Sequence, residues 1–348
     1  MNKVLQSIVL GLFAMTVSLQ AQVTDTVRIG QQNLMLAEKL YNEGIEFFEK
    51  GSYVDAMQKF NDAIKERPDF FQAYYNRGVV RAQMNNHLGA MEDYNKVLKE
   101  MPDFTMAFFA RGRSQEALGN PHEAITDFSM ALSQNSRMYL AYYHRGIVQF
   151  QQGLYQQAID DFSSAINIRA DFAYAYNDRG SAHRLNGNPQ AALADYQQAV
   201  FFDNSMYFAF NNIGSLRMEL GNYNEAIEFF TTAIRISGTY TKAMVNRAIA
   251  YKNAGRTEDA LNDINRVIEL EPQNYTAFTV RGNIKYTMGD FEGAASDHSQ
   301  AISLNPQYGP AFLNRGVARE MLRDPRGAAE DWTKAVELGL SRAGDFLE

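Results

Sequence analysis

The 348-residue chain contains no cysteine. That absence removes disulfides, thiolate-bound zinc or iron–sulfur clusters, and a cysteine nucleophile together. Histidine is scarce, limited to His87, His122, His144, His183 and His298. No H-E-x-x-H, G-x-S-x-G or phosphate-binding glycine loop occurs, so neither catalysis nor a metal or other cofactor is expected. Positive charge is also limited: 33 Lys and Arg face 40 Asp and Glu, a formal net charge of -7, and the basic residues form no run. Nucleic acids and anionic membranes are held by concentrated positive fields, so neither is an expected partner. Only eight prolines interrupt the chain, which leaves long stretches open to helix. What is present is 46% hydrophobic residues, enough for packed cores and incompatible with general disorder.

One apolar run stands at the N-terminus. Lys3 supplies a positive charge, residues 4–17 are mostly apolar, and the small residues Ser18 and Ala21 follow. This is the layout of a signal peptide over residues 1–21, with a run well short of the ~20 residues that span a bilayer. The expectation is an exported protein, periplasmic or extracellular in a bacterium, with residues 22–36 as a lead-in to the folded part.

Glycine then recurs every 34 residues, at Gly44, Gly78, Gly112, Gly146, Gly180, Gly214, Gly282 and Gly316, with Ala248 in the remaining place. Setting this position as slot 8 gives nine repeats without insertion over residues 37–342. Slot 20 is Ala in all nine, from Ala56 to Ala328, and slot 27 is Ala or Val throughout. Slot 24 is always large, from Phe60 to Trp332. Each unit reads as two helices. Slot 15 is Gly in seven repeats and Asn85 in one, residues that tolerate the left-handed conformation ending a helix. Asn120-Pro121, Asn188-Pro189 and Asp324-Pro325 pair a cap with a proline in the first turn. Pro68, Pro102, Pro272 and Pro306 mark the ends of second helices.

Large at slot 4, Gly or Ala at 8, large at 11, Ala at 20, aromatic at 24, Ala at 27 and Pro at 32: this pattern resembles the tetratricopeptide repeat. The resemblance implies an all-α fold, a right-handed superhelical solenoid of helix-turn-helix units whose first helices line a concave groove. It also implies a non-enzymatic scaffold that binds a partner's peptide segment in that groove. A glycan-binding module using groove aromatics and a purely architectural rod are the alternatives.

A charge pattern is written into the repeat. Slot 7 is Arg in seven repeats, as Arg77, Arg111, Arg145, Arg179, Arg247, Arg281 and Arg315. Slot 23 is Asp in the same seven, as Asp93, Asp127, Asp161, Asp195, Asp263, Asp297 and Asp331. Both slots are apolar in repeat 6, Ile213 and Phe229, and the signs are exchanged in repeat 1, Glu43 and Lys59. Pairing within each repeat satisfies every case, whereas pairing across repeats would set Lys59 against Arg77. An intra-repeat bridge between the two helices is therefore expected.

Two rows of residues are candidates for the groove. Slot 5 gives Tyr75, Phe109 and Tyr143 on successive first helices, either an aromatic binding strip or rings packed between helices. Slot 6 gives Asn76, Asn212 and Asn246, with Asn42 and Asn314. That row is similar to the asparagine ladder with which some tetratricopeptide superhelices hold a peptide backbone; bonding to neighbouring protein groups is the alternative. The clamp that related proteins use for chaperone C-termini needs Lys at slot 5, which no repeat has. At the other end, residues 343–348 form a remnant of a tenth repeat. Six residues are expected to be too few to cover Trp332 and Ala335, leading to fraying beyond Gly339 or self-association through the last repeat.

Overall fold

The computed structural model describes residues 25–347, so the expected signal peptide lies outside the described residues. Among the described residues there are eighteen α-helices, one terminal 3₁₀ helix and no strand. They divide into two compact units, the first ending at Ala170 and the second beginning at Asp171. Unit 1 holds repeats 1–4 as four antiparallel pairs: α1 (Asp25–Glu49) with α2 (Tyr53–Glu66), α3 (Phe71–Gln83) with α4 (His87–Glu100), α5 (Thr105–Ala117) with α6 (Pro121–Gln134), and α7 (Tyr139–Gln151) with α8 (Tyr155–Ile168). Unit 2 holds repeats 5–9: α9 (Ala173–Leu185) with α10 (Pro189–Phe202), α11 (Tyr207–Glu219) with α12 (Tyr223–Ile236), α13 (Thr241–Asn253) with α14 (Thr257–Leu270), α15 (Tyr275–Thr287) with α16 (Phe291–Leu304), and α17 (Gly309–Met321) with α18 (Pro325–Glu337). The described part of the lead-in is helical and continuous with repeat 1, which makes α1 25 residues long against 13 for α3.

The turn inside each repeat is left-handed at slot 15, with φ between 75° and 83° at the seven glycines and 60° and 62° at Asn85 and Arg323. Packing is serial. Every slot 20 alanine is fully buried, and the slot 24 side chain lies on slot 8 of the same repeat. At Gly146 an added Cβ would lie 2.8 Å from Cε1 of Phe162. The one repeat with alanine at slot 8, Ala248, carries the non-aromatic Ile264 at slot 24, and both are fully buried.

The C-terminal remnant corrects the sequence expectation. Gly339 takes φ +89 and Leu340 N–H donates to the Ala335 carbonyl at 2.9 Å, which turns the chain back as the 3₁₀ helix Ser341–Phe346. Ala343 is fully buried and Phe346 stacks on Trp332 with ring centroids 5.1 Å apart. Trp332 is left 5% exposed and Ala335 not at all. Six residues suffice because the left-handed turn and the small Ala343 let them lie flat on the last helix pair. Among the described residues no helix is long and apolar enough to cross a membrane.

Candidate functional site

The seven Arg–Asp pairs meet within their own repeats as two-pronged bridges. Arg145 donates from Nε to Asp161 Oδ2 and from Nη2 to Oδ1, each at 2.7 Å. The other six repeat the same fork. The exchanged pair of repeat 1, Lys59 and Glu43, lies at 2.6 Å. The Asp side chains are nearly buried and the Arg side chains about one-fifth exposed. The hydrogen bonds it donates to Asp161 raise the pKa of the Arg145 guanidinium above its ordinary value despite burial. In repeat 6, Ile213 instead packs among Tyr196, Leu216 and Phe229.

Two features of this arrangement were not read from the sequence. The third guanidinium nitrogen reaches back to slot 25 of the preceding repeat: Arg77 Nη1 to Asn61 Oδ1 at 2.7 Å, Arg111 to Asn95 at 2.6 Å, Arg145 to Ser129 Oγ at 2.8 Å, and likewise Arg247, Arg281 and Arg315. The guanidinium face also lies against the slot 4 ring in six of these repeats, as with Arg77 on Tyr74 at 5.1 Å, and in repeat 7, where slot 4 is Met244, against Tyr251. Each of these six arginines therefore ties two helices of one repeat and the repeat before it. The signal was available: slot 25 is Asn, Ser or Thr in eight repeats, and the exception, Gln197, precedes the repeat without the arginine. Slot 11 supplies the second feature, a further cation on the same aspartate. Arg81 lies 3.0 Å from Asp93 Oδ2, Lys285 2.9 Å from Asp297, and Arg319 2.9 Å from Asp331.

The slot 5 aromatics are not an exposed strip. Tyr75, Phe109 and Tyr143 are 5%, 5% and 3% exposed. Each ring packs on the slot 24 ring of its own repeat, Tyr75 with Tyr94, Phe109 with Phe128 and Tyr143 with Phe162, at centroid distances of 6.0, 5.9 and 5.8 Å. The physical reason is helical spacing. Slot 5 lies three residues before the slot 8 glycine, hence on the same helix face, turned toward the second helix.

The slot 6 asparagines bond backward to slot 5 of the preceding repeat. Asn76 Nδ2 donates to Tyr41 Oη at 2.9 Å, Asn212 to Asn177 Oδ1 at 3.0 Å, and Asn246 to Asn211 Oδ1 at 2.9 Å. Asn76 is buried, whereas Asn212 and Asn246 are half-exposed. In repeat 4 the same slot holds His144, 2% exposed among Phe109, Phe128 and Tyr143. Its Nε2 lies 2.8 Å from Arg113 Nη1 and its Nδ1 3.2 Å from Glu116 Oε2. A guanidinium only donates, so Nε2 accepts and the proton resides on Nδ1. Burial pushes the His144 pKa below its ordinary value, against the opposing effect of Glu116. His298, at slot 24, is a packed ring over Gly282. Among the described residues no His, Asp or Glu grouping could hold a metal ion.

The fold and its repeated interior define a class: an all-helical repeat protein of the kind that serves as a protein-interaction scaffold. The chain belongs to the tetratricopeptide repeat family, whose models match residues 109–172 and 178–240, 44–85, 217–279 and 71–104. Among solved structures it is similar to the APC/C hetero-tetramer Cut9–Hcn1, with a TM-score of 0.57 at 15% identity over 84% of this chain and 59% of that one. It is also similar to the C-terminal part of a TPR repeat-containing protein from Cytophaga hutchinsonii, with a TM-score of 0.54 at 20% identity over 69% and 99% of the two chains. A third likeness is to Pseudomonas aeruginosa pilF, 0.51 at 18% identity over 57% and 91%. These likenesses show the fold. No curated protein matches the sequence.

Proposed function

We propose that this is an exported, non-enzymatic scaffold that binds an extended segment of a partner protein along the first helices of unit 2. The observation that supports this reading is the state of Asn212 and Asn246. Each is half-exposed, and each has one amide N–H fixed to the preceding repeat. A side-chain amide has two donors and an oxygen acceptor, so Asn212 keeps an acceptor and a donor for a ligand, and Asn246, whose second N–H reaches Ser215 Oγ at 3.5 Å, keeps its acceptor, while the orientation of both is set in advance. Backbone amides and carbonyls of an extended peptide match such alternating groups. The glycan reading loses its main support with the burial of the slot 5 rings. Export rests on the N-terminal sequence alone.

A photo-cross-linking residue placed at Ser215, between the two asparagines in chain order and bonded to Asn246 at 3.5 Å, is expected to capture partner protein. The same residue at the exposed Gln198 on α10 is the control and is expected to capture none. Equal capture from both positions, or capture from Gln198 alone, would sink the proposed surface.

A further inference from the structure

Slot 11 is an arginine in repeats 2, 6 and 9, a lysine in repeat 8 and a neutral glutamine in repeats 3 and 4. In repeats 2 and 9 the slot 11 arginine donates from Nη1 to two acceptors, the slot 19 carbonyl and Oδ2 of the slot 23 aspartate. Arg81 makes these bonds to Gly89 O at 2.8 Å and Asp93 at 3.0 Å, and Arg319 to Gly327 O at 3.0 Å and Asp331 at 2.9 Å. Repeat 3 has the neutral Gln115 there, and Asn120 Nδ2 draws its Oε1 toward the turn at 2.8 Å. Asn120 gives up the capping bond that Asn86 and Asn188 make at the same position in their repeats. Beside them lies an open surface cavity of about 320 Å³, lined by Met91, Asn95, Arg111, Gln115, Glu123 and Asp127 among others. Asp127 accepts the fork from Arg111, without the second cation that Asp93, Asp297 and Asp331 have. Glu123 stands exposed at the rim.

We propose that this cavity is a socket for the guanidinium of an arginine on a partner protein, which takes the position that Arg81 and Arg319 fill from within. The acceptors are the Glu123 carbonyl and Asp127 Oδ2, the same pair that holds a guanidinium twice elsewhere in the chain. Charge favours the occupant: Arg111 is already matched by Asp127, and Glu123 leaves the lining one negative charge in excess. Guanidinium is preferred over ammonium because the sibling arrangement uses two acceptors, whereas Lys285 in repeat 8 reaches only Asp297. The socket lies in unit 1 and does not depend on the asparagine surface of unit 2.

The test titrates the full chain with N-acetyl-arginine amide, N-acetyl-lysine amide and N-acetyl-citrulline amide, following the side-chain amide resonances of Gln115 and Asn120. Citrulline has the shape of arginine without its charge. A saturable response to the arginine compound, weaker by roughly tenfold for lysine and absent for citrulline, is expected. Gln115→Arg should abolish the Asn120 response while keeping helicity and melting temperature at or above the parent values, because the new side chain closes the socket as Arg81 does. Gln115→Lys, copying Lys285, gives the same comparison should the arginine variant fold poorly. No response, equal responses to arginine and citrulline, equal responses to arginine and lysine, or an undiminished Asn120 response in folded Gln115→Arg would each overturn the proposal.

Discussion

His298 illustrates how one residue can carry a chemical property that the surrounding repeat pattern does not share. It fills the slot 24 place that other repeats give to Phe, Tyr, Trp or Ile, and it is 1% exposed. Burial lowers its pKa from 6.5 to about 4, the nearby Asp297 opposing that shift. The folded protein therefore favours the neutral ring, and acid favours the unfolded chain. Stability contributed by this residue is complete above pH 6.5 and is lost as pH falls from there toward about 4. The loss amounts to about 3 kcal/mol on the usual conversion of pKa shift to free energy. His298→Phe should flatten that part of the stability–pH curve and leave the remainder unchanged. Urea unfolding at pH 7 and pH 4.5 checks this; an identical pH dependence in the variant would show that His298 contributes none of it.

The helix pair is held at its crossing by glycine against a ring and at its flank by arginine against aspartate. The first contact is tight enough to predict a compensated pair of substitutions. Gly146→Ala places a methyl group within 2.8 Å of Phe162 and should destabilise by ~1–3 kcal/mol, a usual cost of overpacking. Adding Phe162→Ile recreates the combination of Ala248 and Ile264 in repeat 7 and should recover part of that loss. Thermal melts of the two single variants and the double variant decide the matter, and strictly additive losses would mean that the two positions do not share the contact. The arginine fork acts over a wider range because its third nitrogen reaches the preceding repeat. Removing an arginine from such a bridge would leave a nearly buried carboxylate without its cation, the situation in which broken ion pairs cost most.

A serial stack has no single core, so its ends need covering as much as its middle needs packing. The C-terminal end is covered by Phe346 on Trp332, the only tryptophan in the chain. Phe346→Ser should open Trp332 to solvent, raise its quenching by acrylamide and lower the melting temperature, without altering the helices of the other repeats. Quenching that stays at the parent level would show that the turn shields Trp332 without the Phe346 ring.

The period, the two helices per unit, the left-handed turns and the partnership of slots 7 and 23 were all determined by the sequence itself. They are properties of one repeat, and nine aligned copies expose them through their coincident exceptions. Tertiary structure decided what depends on the neighbour. It turned Tyr75, Phe109 and Tyr143 inward onto the slot 24 rings, although the three-residue spacing from slot 8 already placed them on that face. It set Asn76, Asn212 and Asn246 against the preceding repeat, and it folded six terminal residues over Trp332. It also brought Arg113 and Glu116 to His144 across 31 and 28 residues of chain, and left the space beside Gln115 empty. Helical periodicity fixes the face on which a residue lies; whether that face meets solvent, a ring or a charge is fixed only when the next helix packs against it.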